Sequence, residues 1–187
     1  MFIDTFHDND RNKILFQLMF FSGCRAGEIR ALTWNDYIPE RKMLIIDKSI
    51  ISKTGTGQFL VSTTKTKTGN RVIWLSKQMN ERLLRLRNHY TDWAGSKYIF
   101  FNAAKPLGHT TITRYFDKHI QMASLPHMRL HDIRHTSNTW LHNLASSREE
   151  EEAIKKRFGH ASDAMSLGTY YHHSEDSERR LADLIEI

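Results

Sequence analysis

The sequence predicts a mainly α-helical domain carrying a small antiparallel β-sheet, an α+β architecture. Three observations lead there. Apolar residues recur at helical spacing before residue 35 and again after residue 75. Short β-rich runs cluster between them, within 42–75. Only three prolines interrupt the 187 residues, and no linker-like stretch divides them. A chain of that length with 40% hydrophobic residues can bury one real core, so 1–187 reads as a single domain.

Residues 8–22 form the first expected helix. Ile14, Leu15, Leu18 and Met19 make its apolar stripe, Asp8, Asn9 and Asp10 are capping candidates, and Gly23 ends it. A second helix carries "RAGEIRALTW". The β-rich runs are "KMLIID", "QFLVSTT" and "RVIWL". The turn residues "KTGN" stand between the last two, which predicts that those two pair as a hairpin. Residues 76–92 read as a helix with Leu83, Leu84 and Leu86 apolar, and "KYIFF" as a short strand or buried extended segment. Helices follow at about 110–122, 129–145, 149–158 and 176–186. The run "REEEE" at 148–152 reads as a solvated helix start, where acids favour the positive end of the helix dipole. The last helix shows an apolar stripe of Leu181, Leu184 and Ile185, with Ser174 as a cap candidate.

Charge narrows the class of partner. The chain carries 27 Lys and Arg against 21 Asp and Glu, a net charge of +6, and its pI is about 9.5. Such a surplus points to a polyanion, most commonly nucleic acid, although a basic but inert surface has the same composition. Cys24 is the single cysteine, so no internal disulfide can form, which fits a reducing cytosol. The most apolar run, "ILFQLMFFSGC", is too short to span a bilayer, and the first residues lack a signal-peptide pattern. The expected location is the cytoplasm, with no membrane partner.

Five stretches carry polar residues that packing alone explains poorly. In "SGCRAGEIRALTW", Arg25 follows a glycine break near a helix start, and Glu28 is close enough to hold it by an ion pair. The guanidinium fork fits two phosphate oxygens. In "TKTKTGNRVIWL", Lys67 opens the expected hairpin turn, where it is either merely solvated or able to touch a phosphate. Lys65 and Arg71 flank it and compete for that assignment. In "RLHDIRHTSNTW", His131 and Arg134 share a helical face, with His135 one turn on. The two histidines resemble H-E-x-x-H, but the intervening residues are Asp132 and Ile133, which argues against a zinc protease. In "RFGHASDAM", His160 follows Gly159 at a helix-to-helix turn. In "LGTYYHHS", Tyr170 and Tyr171 lie just past Gly168, and adjacent tyrosines are ordinarily packing residues.

Each of these signals is weak alone, but their order and spacing are not. The ensemble resembles the catalytic domain of the tyrosine recombinases, the phage-integrase family. "GCRAGEIRALTW" is similar to that family's first arginine box, "LHDIRHT" to its H-x-x-R box, and "TKTKTGNRVIWL" to its lysine hairpin. "FGHASDAMSLGTYYHH" is similar to its closing box, in which Gly-His is followed about ten residues later by Thr-Tyr. The resemblance runs from roughly residue 10 to residue 175. It implies the tyrosine-recombinase catalytic-domain fold. It also implies that Arg25 and Arg134 clamp a phosphate, that Lys67 is the hairpin lysine, and that His131 and His160 fill the two histidine positions. Tyr170 is then the nucleophile and Glu28 supports Arg25, while His135 has none of the family's core roles and reads as a residue that packs the helix or supports the site from behind.

The resemblance further implies a DNA strand transfer through a 3′-phosphotyrosyl link, on double-stranded DNA, in a tetramer assembled there. Two guanidiniums would replace the metal pair of many nucleases, so neither metal nor cofactor is expected. A bacterial, phage or mobile-element origin follows. The family's N-terminal DNA-clamping domain is expected to be absent from this chain. A C-terminal helix that is mobile or exchanged with a neighbouring protomer is expected from the way such enzymes assemble. A type IB topoisomerase-like strand transferase is a rival reading, as are an inactive DNA-binding module on the same fold and a basic structural or RNA-binding domain.

Overall fold

A computed structural model of the chain describes residues 2–7, 10–52, 59–63, 70–90, 96–159 and 170–185. The first helix, α1, spans Arg11–Ser22. Asp10 caps it by accepting the Asn12 amide at 2.7 Å, and Gly23 closes it in the left-handed region at φ 61°. Eight of its twelve residues are buried, so it runs through the core rather than along it on one stripe. The helix α2, Ala26–Ala31, is shorter than the sequence suggests. The chain leaves it because Asp36 accepts both the amide and the hydroxyl of Thr33 at 2.7 Å, which starts a new turn over Trp34–Asp36.

The strands correct the expected hairpin. They are β1 (Tyr37–Ile38), β2 (Met43–Ile46), β3 (Lys48–Ser52), β4 (Phe59–Thr63) and β5 (Arg71–Trp74). β4 pairs with β3, from Lys48↔Thr63 to Ser52↔Phe59, and β5 pairs with β2, from Met43↔Trp74 to Ile46↔Arg71. The two runs expected to pair therefore lie in different sheets, ordered β1-β2-β5 and β3-β4. Inward parity explains the choice. Leu44 and Ile46 of β2 face the core with Ile73 and Arg71 of β5, all four buried. "KSIIS", which carried no strand assignment, supplies the partner of β4. Helix α2 lies directly on β3: a Cβ on Gly27 would stand 2.5 Å from Ser49 Oγ and 2.9 Å from the Ile50 carbonyl.

After β5 the described residues form five further helices and one small pair of strands. These are α3 (Lys77–Tyr90), β6 (Phe101–Asn102), β7 (Lys105–Pro106), α4 (His109–Met122), α5 (Asp132–Leu144), α6 (Arg148–Arg157) and α7 (Tyr170–Leu184). The acidic start of α6 is not wholly solvated. Glu150 is buried and accepts the amide and hydroxyl of Ser146 at 2.7 and 2.9 Å, while Arg180 reaches it at 3.3 Å. It satisfies donors ahead of the helix that would otherwise be orphaned.

Helix α7 begins six residues earlier than expected and packs in cis on α6 and β5. Leu181, Ala182 and Ile185 are buried there, while Leu184 is exposed. Burying Leu181 and Ile185 is worth roughly 1.5–3 kcal/mol each. Beneath them Arg157, with no exposed surface, donates to Glu178 at 2.7 Å, to the Phe21 carbonyl at 2.9 and 3.2 Å, and to the Trp74 carbonyl at 3.4 Å. Within the single chain the tail helix thus packs in cis on α6 and β5. Among the described residues, no helix is long and apolar enough to cross a membrane.

Candidate active site

The break between α1 and α2 is the foundation of the site. Gly23 turns the chain with a positive φ, and its carbonyl accepts Arg134 Nη1 from α5, 111 residues away in sequence. Arg134 Nη2 donates to the carbonyl of Phe158, at the end of α6. The guanidinium also lies 4.9 Å from the centre of the Phe158 ring. One buried arginine therefore locks together the ends of α1 and α6 and the start of α5. Burial, with the positive charges of Arg25 and Arg71 nearby, pushes the Arg134 guanidinium down to about 10. It stays charged at neutral pH.

Arg25 stands two residues after Gly23, as the N-cap of α2. Its side chain is 52% exposed, against 3% for its partner Glu28. Glu28 accepts the Arg25 amide at 2.8 Å and Arg25 Nη1 at 3.2 Å. The exposed guanidinium is thus held from behind by a buried carboxylate, as the short spacing suggests. Burial pushes the Glu28 carboxyl up. Hydrogen bonds and charge from Arg71, with the Arg25 amide and charge, outweigh it and hold the group below the usual carboxylate range.

His131 occupies the N-cap position of α5 without a side-chain capping bond, and Arg134 sits one turn in, so the expected spacing holds although the helix starts at Asp132 rather than 129. His131 is exposed and Arg134 buried. The ring of His135 meets that of His131 edge to face, with centroids 4.7 Å apart, so His135 props its neighbour. Partial desolvation, then the charges of His135, Arg134 and Arg25, lower the His131 imidazole below its ordinary value, against a weaker pull from Asp132. At neutral pH the ring is mostly neutral and can accept a proton. Arg25, Glu28, His131 and Arg134 therefore come together at one place. Lys67 and His160 lie outside the described residues, as does the side chain of Tyr170, whose backbone opens α7.

The description "Phage integrase family" matches residues 2–177 of the chain. The chain belongs to that family. Among curated relatives of this phage integrase family chain, the ICEBs1 integrase of Bacillus subtilis is 27% identical over 182 residues, covering 93% of this chain and 48% of its own. The transposase from transposon Tn916 of Enterococcus faecalis is 28% identical over 188 residues, covering 93% and 45%. The chain thus spans about half the length of these relatives. Among solved structures, the Tn1549 transposon integrase in complex with transposon right end DNA has a TM-score of 0.74 at 21% identity, covering 96% of this chain and 61% of that one. The XerH site-specific recombinase bound to its difH substrate has a TM-score of 0.61 at 19% identity, covering 97% and 46%. These likenesses show that the fold is shared.

Sequence reasoning misses one member of the site, Arg71, and the buried Arg157 whose carbonyl anchors it. In the sequence Arg71 stands out only as a rival to Lys67. It points inward from β5 and donates to both oxygens of Glu28, at 3.3 and 2.8 Å, to Cys24 Sγ at 3.2 Å and to the Arg157 carbonyl at 2.7 Å. Its parity with Ile73 was the available signal, because an arginine two residues before a core isoleucine shares its inward face. Arg157 carried no such signal; its burial follows from the docking of α7.

Proposed function

We propose that residues 1–187 form the catalytic domain of a site-specific DNA recombinase or integrase, cleaving and rejoining double-stranded DNA through a 3′-phosphotyrosyl intermediate. One observation supports this most: a half-exposed Arg25, braced by a buried carboxylate, stands beside an anchored Arg134 and a mostly neutral His131 drawn from more than a hundred residues away. That arrangement suits a phosphodiester. Two guanidiniums neutralise the non-bridging oxygens as charge develops in the transition state. The Tyr170 hydroxyl, ordinarily ionising near pH 10, needs a base, and His131 takes its proton. The Tyr170 oxygen bonds to phosphorus as the bond from phosphorus to the 5′-oxygen breaks. Lys67 protonates that leaving oxygen, and His160 hydrogen-bonds the phosphate. A 5′-hydroxyl from another strand reverses the step, because the phosphotyrosyl ester retains the energy of the broken bond. No metal is assigned a role. The working form is a tetramer on DNA in the cytoplasm.

The test is a denaturing gel after incubation with nicked double-stranded DNA carrying candidate attachment sequences, in excess EDTA. A covalent adduct is expected from the native chain and from Tyr171→Phe, and none from Tyr170→Phe, which still binds DNA. An adduct lost with Tyr171→Phe but kept with Tyr170→Phe would reassign the nucleophile. Cleavage abolished by EDTA and restored by Mg²⁺ would overturn the metal-free reading.

A further inference from the structure

We infer that Arg71 is a positioning residue for Arg25, acting through Glu28. The inference rests on the strand-transfer reading above and adds a residue to it. The geometry is a bridge. Each oxygen of Glu28 takes one donor from each arginine: Oε1 receives Arg25 Nη1 at 3.2 Å and Arg71 Nη1 at 3.3 Å, and Oε2 receives the Arg25 amide and Arg71 Nη2, both at 2.8 Å. Exposure falls steeply along the bridge, from 52% for the Arg25 side chain to 3% for Glu28 and 2% for Arg71. The far end is fixed to the Arg157 carbonyl and to Cys24 Sγ.

This order has a chemical consequence. A carboxylate buried that deeply, facing only a half-exposed arginine, would tend to take up a proton. A neutral carboxyl would then lose its charge attraction for Arg25, and one oxygen would become a donor facing a donor. Arg71 keeps Glu28 ionised, and the ionised Glu28 keeps the Arg25 guanidinium in place. Among the described residues, the other charged or titratable groups coupled to the bridge are Cys24 before α2, His131 and Arg134 at the start of α5, and the Arg157–Glu178 pair from α6 and α7. A purely structural tie would make the same contacts without making the reaction depend on the charge of Glu28.

The experiment compares single-turnover adduct formation by the full chain and by Arg71→Met between pH 5.5 and 8.5, each variant rate divided by the native rate at the same pH. The expected ratio is lowest in acid, down on the order of a hundredfold, as a misplaced positioning contact can cost. It should recover by roughly tenfold or more toward pH 8.5, as Glu28 ionises without its partner. Adding Glu28→Gln to both proteins should erase that recovery. A ratio that is flat with pH, or a recovery that persists in the Gln background, overturns the inference. Should Arg71→Met fail to fold, Arg71→Lys takes its place, with a smaller dependence of the same sign; a profile parallel to the native one has the same negative meaning. A DNA-free arm follows the Glu28 carboxyl carbon and the Arg25 Nε resonance by NMR during a pH titration. In the variant, the Glu28 midpoint should rise and the Arg25 signal should follow it; a stationary midpoint overturns the inference. A native chain that forms no adduct refutes the strand-transfer reading by itself, and the NMR arm still decides whether Arg71 governs Glu28 and Arg25.

Discussion

Replacing Gly23 with alanine perturbs the site without touching any side chain in it. Two costs are legible. Gly23 has φ 61°, where a Cβ is strained against the following carbonyl by about 1–2 kcal/mol. The new Cβ would also stand 2.5 Å from both Cε1 and Cζ of Phe158, well inside the ordinary 3.5–4 Å contact of carbon atoms. Phe158 has no exposed surface, so its ring cannot swing into solvent. Overpacking of this kind costs about 1–3 kcal/mol, which brings the total to about 2–5 kcal/mol. The displaced ring is also the one beneath Arg134, whose two anchoring carbonyls belong to Gly23 and Phe158. Adduct formation should therefore fall on the order of tenfold or more even where the protein remains folded. Urea denaturation gives the stability change, and single-turnover cleavage gives the second effect. Adding Phe158→Leu makes room for the new Cβ, so the double variant should be more stable than the sum of the single losses by about 1 kcal/mol. A stability change under about 0.5 kcal/mol for Gly23→Ala, with unaltered cleavage, would refute the packing argument.

Three further outcomes are expected. Arg134→Lys keeps a charge but loses the fork that reaches two carbonyls, so it should lose about 1–3 kcal/mol of stability and on the order of a hundredfold in cleavage; near-normal adduct formation would show that charge alone suffices. Glu150→Gln should cost roughly 1 kcal/mol near neutral pH. The hydrogen bonds from Ser146 hold that carboxyl below its ordinary range, so its contribution is present above that range and disappears as pH falls through the folded value; a difference from native that grows in acid, measured by thermal melts, would contradict this. Deleting 176–187 strips Glu178 from the buried Arg157 along with Leu181 and Ile185, and should lower the melting temperature by roughly 10 °C or more; an unchanged melt would mean that the cis docking of α7 contributes little.

The helices were legible because their apolar spacing and caps are local. Asp10 and Gly23 bound α1 as their residue types require, and His131 with Arg134 fell one turn apart at the start of α5. Strand partners were not legible in the same way. β4 and β5 are consecutive and separated by turn residues, yet each pairs upstream, because the inward parity of Leu44, Ile46 and Ile73 decides which edges meet. A local turn signal carries no information about that choice. The site divides along the same line. Arg25 and Glu28 are three apart, so their pairing could be read from spacing. The grip on Arg134 consists of backbone carbonyls from two distant segments, which no residue identity announces. Glu150 looked like one more solvated acid in a run of four, and only the three-dimensional position of Ser146 sets it apart.

The chain's one thiol has a practical use. Cys24 is completely enclosed and lies against Arg71, and burial pushes it above its ordinary value, so in the folded protein it is neither accessible nor readily ionised. A disulfide reagent can reach it only when the junction between α1 and α2 opens. The pace of its labelling is therefore a clock for that opening, read from the absorbance of the thiolate the reagent releases. The same enclosure frees the surface for engineering. A cysteine introduced at any exposed position would be the sole fast-reacting one, so a fluorophore or crosslinker could be placed at a chosen point without first removing a native sulfur.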